Sequence, residues 1–249
     1  MFKKFITAAA LTTLLATPLA AFEINAMNDA ERSAFRDEIR AYLMDNPEVL
    51  LEAIGVLEER QAAAQVAGDI DLIRTNADDL FNDGYSYVGG NPEGDITMVE
   101  FLDYRCTYCK KAHPEVKELI ASDGNIRYIV KEFPILGDQS VLASRFAIAV
   151  KQVEGDEAYA KTNDTLMTMR GEITEQGLSD LSEKMGLKTQ EVFKAMNSEA
   201  TKTIIDSNRA LAQRMLINGT PSFVFESEML RGYVPIDGMR AVVAQIRSN

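Results

Sequence analysis

Tryptophan is absent from this 249-residue chain, histidine occurs once, at His113, and cysteine twice, at Cys106 and Cys109. One histidine excludes a His-rich metal centre and any scheme that passes a proton between two imidazoles. Two cysteines exclude a disulfide scaffold, and the chain is long enough to bury a core without one. Basic residues are scarce: 26 Lys and Arg stand against 38 Asp and Glu, a formal charge of −12. Nucleic-acid binding needs clustered Lys and Arg along the phosphates, so no nucleic-acid partner is expected.

The apolar run from Phe5 to Leu15 falls short of the roughly 20 residues a membrane-spanning helix needs. Lys3 and Lys4 precede it and small residues follow at Thr17, Ala20 and Ala21, the order of features in a secretory signal peptide. Residues 1–21 are therefore read as a leader, and the expected location is the periplasm. The two cysteines of an exported protein stand as Cys106-Thr107-Tyr108-Cys109. A staple stabilises by closing a long loop, and so short a loop gains little that way. The pair reads as reactive.

From Ala30 to Gln61 the pattern is helical, with Phe35, Ile39, Tyr42 and Leu43 on one stripe and Val49, Leu50, Ala53, Ile54 and Leu57 on a second. Asn46-Pro47 breaks it, Asn46 suiting an N-cap and Pro47 a first turn. Two apolar stripes at a terminus either dock on their own domain or pair with other copies of the chain. Residues 22–84 are taken as an N-terminal helical segment, with Ala62–Asp71 either a hinge or continuous helix around Gly68.

Beyond it, Tyr85–Val88 and Ile96–Leu102 read as strands, with Gly89 to Asp95 a connection between them, followed by the cysteines and a helix over Lys110–Ser122. Ile126–Phe133 is a further strand. Residues 138–217 are helical, Ser222–Phe225 and Met229–Arg231 return to strand, and Ile236–Ile246 closes as helix.

A helix start supplies unpaired N–H groups and partial positive charge that stabilise a thiolate, so Cys106, where strand gives way to helix, is the candidate nucleophile. It would attack a disulfide and form a mixed disulfide, which Cys109, one turn on and deeper, would resolve. A zinc site would need further soft ligands that this sequence lacks, and no metal is expected. The two thiolates suit copper(I), the competing reading.

The segment Val99-Glu100-Phe101-Leu102-Asp103-Tyr104-Arg105-Cys106-Thr107-Tyr108-Cys109-Lys110 resembles the active-site strand and helix of the DsbA-like branch of the thioredoxin superfamily. Gly219-Thr220-Pro221-Ser222-Phe223 resembles that family's cis-proline loop, and the N-terminal helices resemble those of ScsC-type proteins. The resemblance implies an α/β thioredoxin fold over residues 85–249 with a helical insertion and an N-terminal helical extension. It implies that Pro221 is cis, that Thr220 sets its backbone beside Cys106 for an incoming peptide, and that Glu100 is a buried acid taking the Cys109 proton. Thr107 and Tyr108 would meet substrate.

The family's best-known oxidase has proline and histidine where Thr107 and Tyr108 stand, so an extreme oxidising potential is not expected here. Tyr108 and Thr220 look more like the isomerase and reductase branches. The implied activity is thiol–disulfide exchange without a bound cofactor, with isomerisation or reduction favoured over oxidation. The implied partners are unfolded or misbridged secreted proteins, a membrane redox protein of DsbB or DsbD type, and other copies of the chain through the N-terminal helices. Asp103 and Tyr104 would shape the substrate surface, and His113 would be a polar surface or helix-packing residue.

Overall fold

The computed structural model describes residues 26–248; the leader expected over residues 1–21 lies outside them. The chain divides into two compact units between Glu59 and Arg60, inside a helix and well upstream of residue 84.

In the first unit, α1 (Asp29–Asp45) opens on a capping box: the Asn28 side chain accepts from the Glu31 amide, and the Glu31 carboxylate accepts from the Asn28 amide. No residue of α1 is buried. Asn46 does not cap the next helix as its sequence suggested. Its Nδ2 donates to the Tyr42 carbonyl at 2.9 Å and closes α1 instead, because an orphan carbonyl at a helix end competes for the same side chain. α2 (Glu48–Thr75) then runs without interruption through Gly68, so the hinge alternative for Ala62–Asp71 is not realised.

The second unit is built on a five-stranded sheet ordered β1-β3-β2-β4-β5. Its strands are β1 (Tyr87–Gly90), β2 (Ile96–Leu102), β3 (Ile126–Glu132), β4 (Ser222–Phe225) and β5 (Glu228–Arg231). Only the β2–β3 pair is parallel, with Leu102 opposite Glu132; the crossover between them is α4 (Thr107–Asp123). β1 begins two residues later than its sequence suggested and includes Gly89 and Gly90. At Gly90 φ is +67°, and a Cβ would stand 2.3 Å from the Ile126 carbonyl oxygen, so glycine here permits pairing rather than breaking it.

β2 and β3 are almost wholly buried, which is why they read as near-continuous apolar runs. Met98 and Leu102 on one face join a core with Cys109, Val116, Tyr128 and Phe223. Val99 and Phe101 on the other join Ile73, Leu80, Ile129 and Leu211. Between β3 and β4 lie α5 (Asp138–Glu154), α6 (Asp156–Thr168), α7 (Glu175–Lys184), α8 (Thr189–Met196) and α9 (Glu199–Arg214), and α10 (Ile236–Ser248) ends the described chain. Short α3 (Ala77–Phe81) follows α2, whose C-terminal part is fixed to β5 by two bonds from the Arg231 guanidinium to Asp69, each 2.7 Å.

Candidate active site

β2 ends at Leu102 and α4 begins at Thr107, so the residues between must turn the chain sharply. Asp103 holds the turn. Its Oδ1 accepts from the Arg105 amide at 2.7 Å, and its Oδ2 accepts from the amides of Ile135 and Leu136 at 2.8 and 3.1 Å. Asp103 and Tyr104 are both fully buried, so neither forms the substrate surface expected of them: each has partners in the interior that short-range sequence does not display.

Cys106 is the N-cap residue of α4, with extended backbone at φ −74°. The antiparallel pairing of Phe101 with Ser222 brings the residues before β4 alongside those after β2. Gly219-Thr220-Pro221 thereby meets Cys106: the Thr220–Pro221 bond is cis, and the Thr220 carbonyl oxygen lies 3.1 Å from Cys106 Sγ. The loop is pinned by Ser222 Oγ, which donates to the Gly219 carbonyl at 2.8 Å, and by the Gly232 amide, which donates to the Pro221 carbonyl at 2.9 Å.

Both cysteines are free thiols, Cys106 8% exposed and Cys109 0%. The hydrogen bond from the Cys109 thiol is the largest influence holding Cys106 down at about 5; the Thr220 side chain and the backbone amides of Cys109 and Tyr108 act in the same direction, while burial opposes them. Cys109 moves the other way. Burial, its bond to Cys106 and the charge of Glu100 push its thiol far above the ordinary range. One thiolate and one thiol thus share the site.

Glu100 is 1% exposed on the core face of β2, and the Tyr128 hydroxyl donates to its Oε2. Burial raises its carboxyl to about 7 against the lowering effect of Tyr128, with Glu132 and Cys106 adding like charge. Thr107 and Tyr108 are exposed; the Tyr108 ring is 60% exposed and lies 6.3 Å from that of Tyr233 in a stacked pair. His113 is 8% exposed, with Nε2 2.9 Å from Asp164 Oδ1, so it packs α4 on α6.

Sequence reasoning missed Glu132 and Tyr128. The signal was present: Lys131-Glu132 ends a strand whose neighbours Ile129, Val130 and Phe133 are apolar, and charges in a fully buried strand need partners. Lys131 finds Asp83, and Glu132 finds three hydroxyls. Among the described residues, no group of three or more His, Cys, Asp or Glu is arranged to hold a metal ion.

The sequence and fold resemble those of known proteins. A family model described as thioredoxin matches residues 82–245, and one described as the copper resistance protein ScsC N-terminal domain matches residues 31–64. The solved structure of a thioredoxin-like oxidoreductase from Silicibacter pomeroyi is 39% identical, with a TM-score of 0.65 over 69% of this chain and 98% of that one. The thiol-disulfide exchange protein alpha-DsbA2 from Wolbachia pipientis is 25% identical, with a TM-score of 0.68 over 74% and 98%. The curated Na(+)/H(+) antiporter NhaA 1 of Salinispora arenicola is 27% identical over 63% of this chain and 24% of its own length, so the chain spans about a quarter of the curated relatives it matches. With a thioredoxin model covering most of its length, the chain belongs to the thioredoxin family, and the segment ahead of that domain matches the ScsC N-terminal domain.

Proposed function

We propose that this protein exchanges disulfides of secreted proteins in the periplasm, working as an isomerase or reductase in preference to an oxidase. The observation that carries disulfide exchange is the paired state of the cysteines: Cys106 held as a thiolate at the start of α4, and Cys109 held as a buried thiol behind it. The preference over oxidation is supported by Thr107 and Tyr108, standing where the oxidase has proline and histidine, and by Thr220. A substrate disulfide approaches along the Thr220–Pro221 edge, where backbone groups offer a short strand-like pairing. The exposed Tyr108, Thr107, Ile135, Leu136 and Leu216 give an unfolded chain apolar contacts.

Cys106 Sγ attacks one substrate sulfur, the substrate S–S bond breaks, and the departing thiolate takes a proton from water. Cys109 then passes its proton to Glu100 and attacks Cys106 Sγ, forming the Cys106–Cys109 disulfide and expelling the second substrate thiolate. Substrate is reduced and protein oxidised. Return to the dithiol requires electrons from a membrane dithiol protein of DsbD type; a DsbB-type partner would run the cycle in the opposite direction. In isomerisation the substrate's own thiol displaces Cys106, so no net electrons are needed.

Domain roles follow. Residues 85–249 carry the chemistry, with 138–217 the helical insertion, and the N-terminal segment joins copies of the chain. Phe35, Ile39, Tyr42, Leu50, Leu51, Ile54 and Leu57 are all more than a third exposed, an apolar surface that self-association would cover. Several sites around one misbridged substrate favour reshuffling. The copper(I) reading is supported by the ScsC N-terminal match, named for copper resistance. Burial that keeps the proton on Cys109 works against a two-thiolate site, and exchange is the stronger reading.

Glu100→Gln tests the proton step. With its carboxyl raised to about 7, Glu100 accepts a proton more effectively as pH climbs through 7, so wild-type resolution by Cys109 falls off below that point. Glutamine abolishes this acid limb and slows resolution by about 10²-fold at neutral pH, the usual contribution of a positioned base. An unchanged stopped-flow profile removes Glu100 from the mechanism.

A further inference from the structure

Glu132 has no part in the steps above, and its position is costly. A carboxylate withdrawn from water needs hydrogen bonds to offset lost hydration. Glu132 Oε1 accepts from the Tyr104 hydroxyl at 2.7 Å and the Tyr159 hydroxyl at 2.6 Å, and its Oε2 accepts from Ser144 Oγ at 2.7 Å. Asn163 Nδ2 steadies the Tyr104 hydroxyl at 3.1 Å. Every one of these partners is neutral and buried, so the site holds a carboxyl group without committing it to one charge state.

Two further placements give that group something to do. It lies on β3 two residue pairs beyond Glu100 on β2, Glu100 being opposite Val130 and Leu102 opposite Glu132, so the two carboxyls share the core face of adjacent parallel strands. It also lines a cavity of about 220 Å³ together with Tyr85, Tyr87, Lys151, Tyr159 and Asn208, room for several waters. The cavity wall depends on a glycine. A Cβ at Gly89 would stand 2.5 Å from the Tyr87 hydroxyl oxygen; without it the Tyr87 ring lies across the strand and stacks on Tyr159 at 4.7 Å.

We propose that Glu132 is a positioning residue of the redox centre that exchanges protons with water in this cavity and, by the charge it sets beside Glu100, determines when Glu100 can receive the Cys109 proton. The inference rests on the Glu100 step proposed above. Burial brings both carboxyls to about 7, so near neutral pH they titrate as a coupled pair. Facing Glu132 are Glu100 from β2, Asp103 and Tyr104 from the turn after it, and Tyr159 from α6. Lys151 of α5, with Tyr85 before β1 and Tyr87 at its start, completes the charged and titratable surroundings.

Removing the negative charge of Glu132 lets Glu100 ionise at lower pH. In Glu132→Gln, which keeps the shape and can keep the hydroxyl bonds, the acid limb of mixed-disulfide resolution moves about half to one pH unit lower, the effect of losing a nearby like charge. The fully ionised rate at high pH stays within about twofold of wild type, since the groups that touch sulfur are intact. A second measurement on the unmodified protein needs no variant: carboxyl-carbon NMR should place the Glu132 titration near neutrality, with a midpoint that differs between dithiol and disulfide forms. If Glu100→Gln abolishes the limb while Glu132→Gln leaves it in place, the Glu132 inference is overturned and the Glu100 step stands. If Glu100→Gln leaves the limb, the Glu100 step falls and this inference falls with it. A Glu132 midpoint indifferent to the redox state of the cysteines also overturns it.

Discussion

Replacing Cys109 with serine should leave a protein that attacks disulfides and cannot let go of them. The Cys106 thiolate survives because a serine hydroxyl can still donate to it, and the Thr220 side chain and first-turn amides remain. Mixed disulfides with substrate then accumulate and are seen as adducts by mass spectrometry under non-reducing conditions. Cys106→Ser lacks the attacking thiolate altogether, and exchange should fall by at least about three orders of magnitude, towards the uncatalysed background. Cys109→Ala separates the two roles of Cys109: it too traps substrate, but it removes the largest influence on Cys106, so the Cys106 midpoint rises from about 5 towards its ordinary value. Clean turnover by Cys109→Ser would contradict the two-step mechanism.

Removal of residues 26–59 should cost isomerisation and spare simple exchange. Among the described residues, the first buried side chains in the chain are Asp69 and Ile73, so this truncation takes away no core residue. It also leaves the Asp69–Arg231 pair that fixes α2 to β5. Dithiol oxidation per active site should stay within about twofold of the full-length rate, while refolding of a scrambled-disulfide substrate drops by about tenfold or more as the local concentration of neighbouring sites is lost. Light scattering should show the mass falling from an oligomer to a monomer. Full isomerase activity in a monomeric truncated protein would remove self-association from the account.

Much of the catalytic half was legible because its cues are local. Ile96–Leu102 is a compact apolar run ending at Cys106, and Ile126–Glu132 is another, so the two central strands and the helix between them follow from burial on both faces. The position of Cys106 at a helix start needs only that strand and its reactive spacing. What stayed hidden depends on residues distant in sequence. Tyr104 and Tyr159 reach Glu132 across 28 and 27 positions, and Asp103 finds the amides of Ile135 and Leu136 across more than thirty, so no window along the chain displays those pairings. β1 was displaced because Gly89 and Gly90 carry the composition of a turn, whereas here their missing side chains admit the Tyr87 ring and the neighbouring strand. Asn46 was placed on the wrong helix because the same amide can serve either end, and geometry at the Tyr42 carbonyl decided it.

The Cys106 thiolate also bears on the direction of exchange. No histidine stands in the dipeptide, yet Cys109, the Thr220 side chain and two backbone amides hold Cys106 at about 5. A thiolate stabilised this way favours the dithiol form, present in full above the ordinary thiol range and lost as pH falls through about 5. The same shift supplies an attacking sulfur at neutral pH, which isomerisation requires, while the stabilised dithiol makes the Cys106–Cys109 disulfide more oxidising and works against the reductase direction.

The most direct test is a pH titration of the dithiol protein by the ultraviolet absorbance of thiolate, with alkylation and peptide mass spectrometry to assign each sulfur. The account predicts one thiolate, at Cys106, with a midpoint near 5, and a Cys109 thiol that stays protonated and unalkylated throughout the range where the fold survives. A Cys106 midpoint in the ordinary thiol range, or a Cys109 that ionises first, would contradict it.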